Sequence, residues 1–214
     1  DIETGRNGVA ILTTMKEIPE QQSLRRYHHQ GRMIHQGRFL AFAFHSFSFA
    51  TTYMPFPSDE ALSSERRTTF DRDLNHFVSR HKMQSSKPLY LTGDFNVILS
   101  IQDYQAAAQT TLCQRITANL MDADLRQAHL DLLTMGYVDS YRHIHPHGAQ
   151  VTAGSHHIQL HFRADKILAP AQYVVDADVI DDILPTSDHK PIVATLLVPY
   201  AVAQLSQLSA IDQE

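Results

Sequence analysis

The long apolar runs of this chain are all strand-length, and several end in clusters rich in carboxylates, amides and hydroxyls. Phe39 to Phe44 and Ile192 to Val198 are the longest. Runs this short are built for sheets, and none could cross a bilayer. Four polar clusters stand at strand ends: Tyr53-Met54-Pro55, Gly93-Asp94-Phe95-Asn96, Arg163-Ala164-Asp165 and Thr186-Ser187-Asp188-His189. Singly, each reads as an ordinary turn, since Asx residues initiate turns. Together they can occupy one rim of a sheet.

The periodicity fills in the rest. Gly8 to Leu12 reads as a buried strand. Residues 20 to 37 read as a loop or ragged hairpin. Phe39 to Phe44 and Phe47 to Tyr53 form a hairpin about His45-Ser46, the second run alternating with period two. Phe70, Leu74, Phe77 and Val78 recur at helical spacing within residues 58 to 81. Asp59 and Glu60 lie near that helix's start, where the dipole favours acids. Pro88 to Leu91 is a strand, and Ile116 to Met135 a second helix stopped by Gly136. Strands follow near Val151, at Arg163 to Leu168 and at Ile192 to Val198. Strand pairs interrupted by two helices make an α/β (α+β) class rather than a uniform βαβ repeat. Residues 1–214 read as a single domain.

Composition narrows the function classes. With 214 residues, 43% hydrophobic and 19% charged, the chain can bury a core and is not disordered. The single Cys113 excludes an intrachain disulfide and argues against a thiolate zinc site; it reads as a small buried residue. A reducing, cytoplasmic location is the expectation, with no membrane partner. Net charge of −5 argues mildly against an extended nucleic-acid surface, although the 14 histidines add charge below neutral pH.

Carboxylates, an amide, a phenol and an imidazole at one rim are what phosphoryl chemistry on a hard cation requires. Mg²⁺ takes oxygen ligands, a base must orient water, and donors must stabilise charge on phosphate.

The motifs then resemble a known family. Gly37-Arg38 through Tyr53-Met54-Pro55 is similar to the hairpin of exonuclease III-type AP endonucleases that ends in Tyr-x-Pro-Asn. Leu91-Thr92-Gly93-Asp94-Phe95-Asn96-Val97 resembles their Gly-Asp-x-Asn-Val, with Asp103 at an acidic position. Asp139 to Pro146 resembles Asp-Ser-Phe-Arg-His-x-x-Pro; Phe162 to Asp165 resembles Trp-Arg-x-Asp; Ser187 to Pro191 resembles Ser-Asp-His-x-Pro. The five occur in family order over nearly the whole chain. The resemblance to the endonuclease/exonuclease/phosphatase superfamily implies a DNase I-like, four-layer sandwich of two packed mixed β-sheets flanked by helices. It implies a metal-dependent phosphodiesterase acting on nucleic acid, most often DNA, using Mg²⁺ or Mn²⁺. By the same resemblance, Asp94 activates water and Asn96 orients Asp94 or the phosphate. His189, oriented by Asp165, polarises the phosphate. Tyr53 binds a phosphate oxygen, Arg163 contacts substrate, and Asp188 helps hold the metal.

The chain departs from the family in four places. Only Asp1 to Asn7 precede the Gly8 to Leu12 run, so the family's upstream Asn and metal-binding Glu are expected to be missing, and with them the first strands. Phe56 stands in place of Asn, Lys166 in place of Tyr, and there is no Trp. Two other readings therefore stay open: a small-phosphoester or phospholipid-headgroup phosphatase on the same scaffold, and a truncated, non-catalytic binding domain.

Other features read more plainly. His143, His145 and His147 alternate but are interrupted by Pro146, which weighs against a transition-metal site. His156, His157 and His161 read as surface residues. The Arg25 to Arg32 cluster with Tyr27 reads as a solvated loop, with a grip on a nucleic-acid backbone as the competing reading. Arg66, Arg67 and Arg72 read as the outer face of the first helix.

Overall fold

A computed structural model describes residues 8–15, 20–22, 28–29, 32–33, 37–57, 61–106, 110–155, 160–181 and 187–199. Three short strands, β1 (Glu20–Gln22), β2 (His28–His29) and β3 (Arg32–Met33), come first; β2 and β3 form a small hairpin. The first long hairpin pairs β4 (Phe39–Ala43) with β5 (Ser48–Tyr53), from Phe39 opposite Thr52 to Ala43 opposite Ser48. Its turn closes through Phe44 N donating to Phe47 O at 2.8 Å. Along β5, Ser48, Ala50 and Thr52 are buried and alternate with partly exposed neighbours, as a pleated strand requires.

Helix α1 (Ala61–Gln84) then carries the chain back, so that β6 (Leu89–Asp94) lies parallel to β5. Phe70, Leu74 and Val78 line the buried stripe of α1, each at most 1% exposed, and meet Leu89, Leu91 and Phe95 in the core. After β6 come β7 (Tyr104–Ala106), α2 (Thr111–Leu120), α3 (Ala123–Thr134), β8 (Tyr137–Asp139) and α4 (Ser140–Ile144). They are followed by β9 (Ala153–Ser155), β10 (Leu160–Phe162), β11 (Asp165–Pro170), β12 (Val174–Val179) and β13 (Ile192–Leu196).

The main sheet has six strands in the order β1-β4-β5-β6-β11-β8. Helices α1 and α3 pack together on one of its faces. The second sheet layer is built from β7-β10-β9 and the β12-β13 ribbon. A bridge between Ala153 and His189 connects these two pieces, with Gly154 N donating to Asp188 O and Lys190 N to Thr152 O. Tyr90 on β6 donates its hydroxyl to Leu197 O at 2.6 Å, fastening the layers together. This is the α/β sandwich class that the motifs imply.

Three local expectations change. The single helix over 116 to 135 is two helices, because Asp122 caps α3, its Oδ1 accepting from Asp124 N and Leu125 N. Gly136 does end α3, at φ +96°. The Gly8 to Leu12 run is not a buried strand: residues 8–15 carry no strand, and Leu12 is 94% exposed, so apolar composition alone did not find it a partner. The strand expected at Arg163 begins at Asp165 instead. The Asp59-Glu60 start of α1 and the Arg25 to Tyr27 part of the basic cluster lie outside the described residues.

Gly93 is the position on which the sheet's rim depends. Its φ is +140°, and a Cβ there would stand 1.8 Å from the carbonyl oxygen of Thr52 on the neighbouring strand. Gly93→Ala must therefore adopt a backbone conformation that L-residues avoid and also push β5 away. Urea unfolding should show a loss of about 3 kcal/mol or more for Gly93→Ala. Gly136→Ala meets only the Lys82 Nζ at 3.9 Å and should lose about 1 kcal/mol.

Candidate active site

The strand register puts the site together. Tyr53 on β5 pairs with Asp94 on β6, and Asp94 pairs with Asp165 on β11. Residues in register share a face, so a phenol and two carboxylates form one row across three adjacent strands. Arg38, whose carbonyl accepts from Tyr53 N, extends the row on the β4 side, with its guanidinium 4.6 Å from the centre of the Tyr53 ring. On the other side His189 reaches in from the second layer, its Nδ1 2.8 Å from Asp165 Oδ2. Thr152 Oγ1 accepts from Ala164 N and Asp165 N and so fixes the start of β11.

The electrostatics follow from this geometry. Burial, reinforced by the nearby charge of Asp165, pushes the Asp94 carboxyl up to about 6. The hydrogen bond that His189 donates to Asp165, aided by the charge of that carboxylate, pushes His189 up to about 9. Since Nδ1 faces Asp165, an imidazolium here points Nε2 away from the carboxylate. Asp188 is exposed beside it, and its charge further favours the protonated ring.

Asn96 orients Asp94 through its backbone: the Asn96 N–H donates to Asp94 Oδ1 at 2.8 Å. Its side-chain amide is spent on Met54 O at 2.8 Å, and the residue is 4% exposed at φ +45°. It ties two loops together rather than facing outward.

Arg163, expected to contact substrate, does not line the row. It is 1% exposed, with Nε 3.0 Å from Asp103 and Nη1 2.6 Å from Asp139. Arg142 joins this network at 2.6 Å from Asp103. Burial pushes Asp103 up, but Arg163, Lys166 and Arg142 outweigh it and hold the carboxyl below its usual range. The physical reason for the correction is desolvation: a buried guanidinium must be paired, and two buried acids claim this one.

Two other cations are buried that the sequence did not place in the core. Arg67 is 1% exposed on the buried stripe of α1, not on its outer face, while Arg66 and Arg72 are exposed. The available signal was its spacing, three residues before Phe70 and seven before Leu74, on the apolar face. Lys166, noted only as a departure, is buried with Nζ donating to Val97 O, Arg163 O and Ala164 O. Burial, with the charge of Arg163, lowers its ammonium to about 8. Cys113 is buried, as read. The 143–147 histidines do not alternate along a strand, because α4 covers Ser140–Ile144; His145 Nε2 lies 2.9 Å from Ala177 O. His156 and His157 lie outside the described residues.

Comparison with known proteins finds solved structures of similar fold. An AP endonuclease from Archaeoglobus fulgidus superposes with a TM-score of 0.66 at 23% identity, over 84% of this chain and 72% of that one. A 3′-5′ exonuclease, NExo, from Neisseria meningitidis gives 0.68 at 23% identity over the same shares. The Neisseria 3′ phosphatase NExo, solved with a product DNA hairpin, gives 0.63 at 23% identity over 76% of this chain and 65% of that one. The chain has the DNase I-like fold of these nucleases. In sequence, a DNA-(apurinic or apyrimidinic site) endonuclease of Plasmodium falciparum is 36% identical over 62 residues, which is 29% of this chain and 10% of that protein. No protein-family profile matches.

Two outcomes test the electrostatics directly. Folding raises the Asp94 pKa from 3.8 to about 6, so ionising it costs stability, fully so above pH 6 and not at all below about pH 4. Asp94→Asn, measured in EDTA, should gain about 1 to 2 kcal/mol at pH 7.5 and nothing at pH 3.5, after allowance for screening at an open rim. His189 has the opposite sign: its pairing stabilises fully below pH 6.5 and is lost as pH rises through about 9. An NMR titration should find its imidazole still protonated at pH 8, and Asp165→Asn should return it toward the ordinary histidine range.

Proposed function

We propose that this chain is a metal-dependent phosphodiesterase acting on nucleic acid, with DNA as its substrate class. The observation that carries the reading is the Tyr53–Asp94–Asp165 row closed by the Asp165–His189 pair. A carboxylate raised to about 6 is a competent base at neutral pH, and an imidazolium raised to about 9 is a competent donor there. Environments that separate two titrating groups in this way assign base and acid.

In this reading Asp94, held in place by the Asn96 N–H, takes a proton from the attacking water; the water oxygen bonds to phosphorus as the bond to one ester oxygen breaks, and that leaving alkoxide takes its proton from solvent water. His189 donates a hydrogen bond from Nε2 to a non-bridging phosphate oxygen, while Asp165 keeps its ring protonated and oriented. Tyr53, its ring covered by Arg38, binds a second phosphate oxygen. Mg²⁺ is commonly held by one or two carboxylates, with water and substrate phosphate completing the shell. Asp188 supplies an oxygen donor that fits this pattern, whereas the described residues hold no cluster of three metal-binding side chains. The cation, when bound, would neutralise charge developing on the phosphate. Nucleic acid is favoured over a small phosphoester by the likeness to an AP endonuclease and to an exonuclease, one relative having been solved with a DNA hairpin.

The test is a hydrolysis panel with the complete protein in Mg²⁺ or Mn²⁺, covering abasic duplex, single-stranded DNA, RNA and bis(p-nitrophenyl) phosphate. Cleavage should need the cation, rise with pH through about 6 as Asp94 ionises, and fall near 9 as His189 loses its proton. Asp94→Asn and His189→Ala should each lose roughly a hundredfold or more in turnover. Wild-type turnover by His189→Ala would end this mechanism. Preference for the small diester would favour a phosphatase-like substrate, and inactivity on all four would favour a binding domain.

A further inference from the structure

We propose that Arg67 is the positioning residue that locks the Asp94–Asn96 turn against the Tyr53–Pro55 segment and so sets where Asp94 sits. The inference rests on the reading of Asp94 as the base. A guanidinium has five N–H donors in a rigid planar fork, and here each is directed at a partner. Nε donates to the Asp71 carboxylate, 3.1 and 3.0 Å from its two oxygens. Nη1 donates to Pro55 O at 2.9 Å and Asn96 O at 3.1 Å. Nη2 donates to Phe95 O at 2.9 Å and lies 3.9 Å from Met54 Sδ.

These partners are the two loops of the site. Met54 and Pro55 directly follow Tyr53, and Phe95 and Asn96 directly follow Asp94. The loops also touch through Met54 N donating to Asp94 O and through the Asn96 amide on Met54 O. Neither of those bonds fixes the carbonyls of Phe95 and Asn96, and Arg67 holds both. Asn96 adopts φ +45°, a conformation that persists only where its surroundings impose it. From that position its N–H reaches Asp94 Oδ1. Arg67 thus acts on the base through the turn, from a helix anchored in the core. Asp71, one helical turn along, aims the fork.

Lysine keeps the charge but presents a single ammonium that cannot span three carbonyls in one plane. Arg67→Lys in the complete protein should therefore lower kcat by roughly tenfold to a hundredfold, with KM unchanged within about twofold. Hydrogen exchange supplies a readout independent of activity. The amides of Met54 and Asn96 should exchange roughly tenfold faster or more, while those of β4 and α3 keep wild-type protection. Asp71→Asn, which keeps the guanidinium but weakens its aim, should shift the same amides by less, and it decides the matter if Arg67→Lys does not fold. Wild-type kcat together with wild-type exchange at Met54 and Asn96 would overturn the proposal. So would faster exchange spread evenly over all elements, which would make Arg67 a contributor to bulk stability only. If the wild-type protein cleaves none of the substrates, the phosphodiesterase reading fails, and the exchange pattern alone still shows whether Arg67 holds the turn.

Discussion

Asp94 and Asp165 face each other across neighbouring strands, and the cost of keeping two carboxylates there organises the site. Like charges in register repel and burial penalises the charge of Asp94, so one must be neutralised or paired. His189 resolves this for Asp165 by bringing a proton from the second sheet layer. Asp94 keeps the remaining strain as a raised pKa. In the proposed reading the same arrangement makes Asp94 the base and His189 the donor near neutral pH. It also couples the two sheet layers, because the donor comes from one and both acids from the other.

Three buried cations support the row from within the fold. Arg67 satisfies carbonyls on the two loops that carry Tyr53 and Asp94. Lys166 satisfies those of Val97, Arg163 and Ala164 at the foot of β11. Arg163 pairs Asp103 with Asp139, joining the turn before β7 to the end of β8. Loops at the rim of a sheet lie beyond its ladder, so their carbonyls need other partners; leaving one buried and unpaired costs about 1 to 3 kcal/mol. Charged side chains from the core meet that need here, which makes the rim rigid where the row demands it.

Much of this was legible in the sequence, because sheet rims leave a strong local signature. An apolar strand ending in Gly-Asp-x-Asn announces both its direction and the place where its polar residues emerge. The positions of Tyr53, Asp94, Asp165 and His189 follow from such endings. The buried placement of Arg67 and Arg163 did not, since all their partners except Asp71 lie 12 to 60 residues away and charge alone suggests a surface. The break between α2 and α3 was missed because the apolar pattern runs across it, while the cap is the single residue Asp122. The Gly8 to Leu12 run misled for the opposite reason: strand-like composition specifies no partner strand.

In the proposed reading a phosphodiester binds over the Tyr53–Asp94–Asp165 row with His189 as its donor. The most direct measurement is a crystal structure of the complete protein with Mg²⁺ and a deoxynucleoside 5′-monophosphate. The account predicts a phosphate oxygen within hydrogen-bonding distance of His189 Nε2, a second near the Tyr53 hydroxyl, and Asp94 facing the phosphorus. A phosphate seated elsewhere on the protein, with His189 Nε2 turned away from it, would contradict the account.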